Sequence, residues 1–136
     1  MESPMGPPRL LKAYQDTVDE ALIRHRSVLD TLSKSQESHA RLFRAIATAV
    51  TVCGCISVDA ERQRIPENAD LSHLHQYVRS HIDGELCARC REEVEVELGQ
   101  MLFYQTALAS LFGLSLDEIV RRDLARLRTL GVFNLS

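Results

Sequence analysis

The chain has 136 residues, 45% of them hydrophobic, and carries a formal net charge of −3. That length predicts one compact domain with its own core and leaves too little chain for two. Basic residues are spread along the sequence, so it carries no electrostatic footprint for nucleic acid or for an anionic membrane surface.

The opening residues, MESPMGPPRL, lack a basic region followed by an apolar core. No later run approaches the roughly 20 apolar residues of a membrane span. The expectation is a soluble, cytoplasmic protein with no membrane partner. In a reducing compartment, clustered cysteines serve as metal ligands or redox pairs more readily than as structural disulfides.

Pro4, Gly6, Pro7 and Pro8 predict a disordered tail over residues 1–8, followed by a single all-α domain over 9–136. Leu11, Tyr14, Val18, Ala21, His25, Val28 and Leu32 recur at spacings of three and four, which predicts one first helix running through Leu32. His25, on that stripe, reads as a hydrogen-bonded core residue. The polar segment SKSQES interrupts the pattern. Leu42, Phe43, Ile46, Ala47 and Val50 then predict a second helix that delivers Cys53.

RIPENAD reads as a loop, because Pro66 disfavours helix before it and Asn68 and Asp70 favour turns and caps. Leu71, Leu74, Val78 and Ile82 predict a short third helix, capped by Asp70 and ended by Gly84. A long fourth helix follows from Cys87 to Phe112, with Val94, Leu98, Met101, Leu102, Gln105, Leu108 and Phe112 on one broad face. Gly113 ends it. SLDE, from Ser115 to Glu118, is a capping box opening a last helix in which Val120, Leu124 and Leu127 face inward. Gly131 then frees an apolar tail, VFNLS.

No segment alternates long enough to predict a strand, so the fold class is all-α, a bundle of four to five helices. The wide apolar faces of the first and fourth helices predict a homodimer.

The four cysteines form two pairs and no singles: C-x-C at Cys53 and Cys55, and C-x2-C at Cys87 and Cys90, with 31 residues between. Close pairs of thiolates suit a tetrahedral metal, and Gly54 relaxes the backbone between the tighter pair. The reading is a shared metal site on Cys53, Cys55, Cys87 and Cys90, with zinc the first choice and an iron-sulfur cluster open to the same ligands. Four thiolates leave no position for water, so the metal is structural. Burial as ordinary core residues is the bland alternative. His81 is a weaker candidate ligand, and a redox sensor that releases zinc on oxidation is a further reading.

Glu93, Glu97 and Gln100 stand at i, i+4 and i+7 of the long helix. Carboxylates repeating that way can hold magnesium between helices, although acids in a first helical turn also complement the helix dipole without any function. The region EVELGQMLFYQTALASLFGLSLDEIVRRDLARL resembles the MazG-like nucleotide pyrophosphohydrolases, over about a third of the chain. The resemblance implies an all-α fold in which an E-x-x-E and an E-x-x-D motif on neighbouring helices hold magnesium, bind a nucleoside triphosphate and activate water.

Two departures bear on activity. Glu97 matches the motif's glutamate, but Gln100 stands where its aspartate belongs, and an amide is a poorer magnesium ligand than a carboxylate. The preceding helix, AIATAVTVCGC, has alanine and threonine where the partner acids are needed. The expected function is therefore a zinc-binding MazG-like protein that has lost magnesium-dependent hydrolysis and acts by binding nucleotide or protein. The alternative is an active pyrophosphohydrolase using magnesium with Glu93, Glu97 and Gln100. No activated nucleophile and no phosphate-binding glycine loop stands out.

Overall fold

The computed structural model describes residues 7–24 and 26–131. Its four main helices are α1 (Pro7–Ala21), α2 (Val28–Thr48), α3 (Ala88–Leu111) and α4 (Leu116–Leu130). A two-stranded antiparallel sheet of β1 (Ile56–Val58) and β2 (Ile82–Gly84) joins the second half of the chain to the first. The molecule is mostly helical, as expected. The strands were not expected, because three residues each are too few for alternation to register.

α1 begins at Pro7 rather than Arg9; the first turn of a helix leaves its N–H groups unpaired, so proline loses nothing there. The remainder of the expected tail, residue His25 and the VFNLS segment lie outside the described residues. The single stripe drawn through Leu32 is in fact two helices. α1 runs on as one 3-10 turn, Leu22–Arg24, and α2 restarts after Ser27, whose hydroxyl accepts the Asp30 N–H. A cap stops one helix and starts another without disturbing the apolar period, so the pattern alone did not reveal it.

SKSQES, in turn, does not interrupt anything. α2 passes straight through it, because its serines are the contact surface: Ser38 is fully buried, and Ser35 Oγ accepts from Gln105 Nε2 of α3 at 3.2 Å. Small side chains let two helix backbones approach. The α2 seam reads Thr31, Ser35, Ser38, Leu42, Ala45 and Ala49, an alternation of four and three that keeps one line facing α3. Pairings of Ser35 with Gln105, Arg41 with Glu97 and Cys53 with Cys87 run in opposite order along the two segments, so α2 and α3 are antiparallel.

α1 packs on the other end of α3, where Val18, Leu22 and Ala107 are buried with Tyr14 and Phe103 against them. Gln15 ties α1 to the α3–α4 corner: its Nε2 donates to Ser110 Oγ and the Leu114 carbonyl, and its Oε1 accepts the Leu116 N–H. Gly113 turns that corner at φ 68°, and Ser115 caps α4 by accepting the Glu118 N–H at 3.2 Å. Val120, Leu124 and Leu127 do not face inward as expected; each keeps about two fifths of its surface exposed.

The expected third helix is only the 3-10 segment Leu71–Gln76, started by Asp70 and bent at His73. Val78 lies beyond it and Ile82 belongs to β2, where Gly84 ends a strand at φ 89° rather than a helix. Among the described residues no helix is long and apolar enough to cross a membrane.

Candidate metal centre

α2 does not stop cleanly. Its last turn widens into a π-helical segment, Ala49–Cys53, and the N–H of Gly54 closes it on the Ala49 carbonyl at 2.9 Å. Gly54 then takes a left-handed conformation at φ 76°, which glycine adopts without a side-chain penalty. The chain reverses there, and Cys53 and Cys55 present their sulfurs on either side of the turn, Cys55 toward the Ala49 carbonyl at 3.9 Å.

Cys87 stands at the N-cap of α3, where its sulfur accepts the Cys90 N–H at 3.4 Å, and Cys90 sits one turn further in, 2% exposed. The hairpin brings these two ends together: Ile56, directly after Cys55, pairs with Gly84, three residues before Cys87. Gly84 is needed there, since a Cβ would lie 2.6 Å from the Cys55 carbonyl oxygen. Ala49, Ile56 and Cys90, with Val50, Cys55, Leu86 and Cys87 against them, form a small apolar floor.

The result is the expected convergence. The four sulfurs all lie within 4.8 Å of one another, and Cys53 Sγ is 3.8 Å from Cys87 Sγ. Tetrahedral thiolates at about 2.3 Å from one zinc stand about 3.8 Å apart, so the donor set fits an ion of that kind. Cys53 is exposed, Cys55 and Cys87 half-buried and Cys90 buried, so the cluster is reached from one side.

The electrostatics of the thiols are uneven. The Cys90 backbone N–H, and then its side chain, hold Cys87 down to about 7, as expected of a sulfur at a helix N-terminus. Hydrogen bonding to Cys87 and burial push Cys90 up to about 12. His81 is not among the grouped donors. It takes the strained φ of 63°, and its carbonyl extends the hairpin by accepting the Asp59 N–H at 2.9 Å.

The acidic residues of α3 lie beside arginines of α2. Glu93 and Gln100 are exposed, and Glu97 is half-buried. Across the helix pair, Arg41 Nε donates to Glu97 Oε2 at 3.3 Å. The groove beside this pair is lined by Arg41 and Arg44 as well as Glu92, Glu93 and Glu97. Arg41 was not anticipated; its place on the α2 flank next to the seam was legible only once the α2–α3 register was known.

No family model, curated protein or solved structure matches the chain.

Proposed function

We propose that this protein is a zinc-stapled helical protein of MazG-like type, without magnesium-dependent hydrolysis, that works by binding nucleotide or protein. The observation carrying this reading is the mutual approach of four thiols to within 4.8 Å. Spacing of that kind favours one ion over an iron-sulfur cluster, whose thiolates go to different irons and stand further apart. With no ligand position left for water, the ion holds structure and performs no hydrolysis. Cys53 and Cys55 would hold it from the end of α2, Cys87 and Cys90 from the start of α3.

The Arg41–Glu97 pair supports the second half of the proposal. A guanidinium opposite the motif glutamate repels a divalent cation and occupies the carboxylate that would bind it. The test has two arms. Metal analysis of purified protein is expected to give about one zinc per chain and no visible chromophore. Incubation with magnesium and a panel of nucleoside triphosphates is expected to release no pyrophosphate above background. Release that disappears in Glu97→Gln would replace this reading with the hydrolase.

One observation favours a second reading, a thiol sensor: exposed Cys53 stands 3.8 Å from Cys87. Peroxide could take two electrons from that pair, forming a disulfide and water and discharging the ion. Zinc retained after mild peroxide treatment would count against it.

A further inference from the structure

We infer that hydrogen peroxide exchanges one staple for another at this centre: oxidation joins Cys53 to Cys87, releases the ion and leaves α2 and α3 fastened by the new bond. This exchange rests on the zinc reading above. It adds a redox-controlled release of metal that the fold survives.

The four ligands are not equally held. Cys55, Cys87 and Cys90 pack with Ala49, Val50, Ile56 and Leu86 in the apolar floor, and Cys53 does not belong to it. Cys53 is exposed and ends the π-helical turn Ala49–Cys53, where its neighbour Val52 is 75% exposed. Gly54 follows in the left-handed conformation, with nothing within 4 Å of where a Cβ would stand. A terminal turn with so few neighbours shifts at little cost. Cys53 is thus both the sulfur that an oxidant reaches and the one free to move.

Distance selects its partner. Cys53 Sγ lies 3.8 Å from Cys87 Sγ, and a disulfide needs about 2.05 Å, so a shift of about 1.8 Å closes the bond. A bridge to Cys55 would close a ring with one residue inside and store strain. Cys90 is 2% exposed in the floor.

The Cys53 thiolate attacks one peroxide oxygen, the O–O bond breaks and hydroxide leaves. The Cys87 thiolate then attacks the sulfur of the resulting sulfenic acid, the S–O bond breaks and a second hydroxide leaves. The two sulfurs have lost two electrons, the peroxide has gained them, and two protons from solvent convert both hydroxides to water. Only Cys55 and Cys90 remain as ligands, too few for the four-coordinate demand of structural zinc, so the ion departs. The new bond spans the two ends that the ion joined, 34 positions apart in the sequence, and closing a loop of that length restrains the unfolded chain. A Cys87–Cys90 bridge, by contrast, would stay within the start of α3 and leave α2 unfastened.

Peroxide treatment of the zinc-loaded full chain tests the exchange. The expected result is release of about one zinc per chain to a chromogenic chelator, a Cys53–Cys87 cross-linked peptide in a non-reduced digest, unchanged helical circular dichroism and a Tm above that of chelated, reduced protein. Dithiothreitol with added zinc should restore the starting state. Cys53→Ser, a change at an exposed position, should form no cross-link between α2 and α3 and, once oxidised, melt like chelated protein. Zinc retained under peroxide, a Cys87–Cys90 bridge as the main product, or an oxidised chain that melts no higher than the chelated one would each overturn the exchange while leaving the zinc staple standing. A purified chain that carries no zinc would instead overturn the zinc reading, and the exchange with it.

Discussion

Arg41 of α2 and Glu97 of α3 form an ion pair at 3.3 Å across the antiparallel helix pair. An acid facing an acid needs a cation between; an acid facing arginine does not. Arg41→Ala leaves Glu97 half-buried beside the remaining Arg44 and should cost about 0–1 kcal/mol in urea unfolding, the usual size for a partly exposed pair. It should not create hydrolysis, because Glu92, Glu93 and Glu97 then still have no α2 carboxylate opposite them in that groove. Magnesium-dependent pyrophosphate release by Arg41→Ala would mean that one substitution had been suppressing an intact site.

Removing the metal is the second prediction. Chelation or Cys90→Ala should abolish stoichiometric zinc binding, lower Tm and loosen the hairpin, while α1 keeps its packing on the far end of α3 and α4 its packing on α1. Hydrogen exchange checks the distribution: protection should fall first at the Ile56–Gly84 rungs and at the N-terminal turn of α3. Uniform loss along the chain would show that the metal stabilises the whole fold rather than the end it clamps.

How far such features were legible depends on how local their causes are. Gly54, Gly113 and Ser115 announce turns and caps through their own chemistry, and the two cysteine pairs announce each other by composition, so these were readable. The break at Ser27 was hidden because apolar spacing continues across it. Ser35 and Ser38 looked like an interruption of the helical pattern because polarity marks a break only when no neighbour needs small residues for close approach, and here α3 needs them. Arg41 opposite Glu97 is a product of register, 56 residues apart, and no local pattern contains it.

The third prediction concerns protons. In zinc-stripped protein, Cys87 ionises at about 7, held down by the Cys90 N–H, while Cys90 stays protonated until about 12. Iodoacetamide should therefore modify Cys87 well before Cys90, with the Cys87 rate rising to half its plateau near neutrality. Because Cys87 titrates below its ordinary value of 9.0, the stripped fold gains its contribution as pH rises toward 9 and loses it as pH falls through about 7. Zinc binding should release about one proton fewer above that point than below it, as buffer-dependent calorimetry would report. Equal alkylation rates at Cys87 and Cys90 would contradict this.

Two glycines give opposite expectations from the same substitution. Gly84 sits at φ 89°, and an added Cβ would lie 2.6 Å from backbone oxygen of Cys55, so Gly84→Ala must displace the rung that aligns the cysteine pairs. The expected loss is on the order of 1–3 kcal/mol, with weakened zinc affinity. Gly99 lies within α3 with nothing within 4 Å of a built Cβ, so Gly99→Ala should stabilise by about 0.5–1 kcal/mol. Urea midpoints and zinc competition read both; a stabilising Gly84→Ala would show that the hairpin does not set the cysteine geometry.

The last prediction concerns Gln15, whose amide makes three bonds to residues 95 to 101 positions away in the sequence. Its Oε1 accepts the first N–H of α4 from Leu116 at 2.8 Å, and its Nε2 donates to the Leu114 carbonyl at 2.8 Å and to Ser110 Oγ at 3.0 Å. Ser115 already caps the α4 N–H at Glu118, so the helix start is held from two directions. Gln15→Ala leaves the Leu116 N–H unpaired beside a side chain only 7% exposed, a cost of about 1–3 kcal/mol. Gln15→Glu keeps the acceptor, placing negative charge at a helix N-terminus, but loses both donors, so it should fall between wild type and alanine. Hydrogen exchange should show α4 fraying in Gln15→Ala while the Ile56–Gly84 rungs and zinc content stay as in wild type. Equal stability of the alanine and glutamate variants would mean that the helix start depends on Ser115 alone.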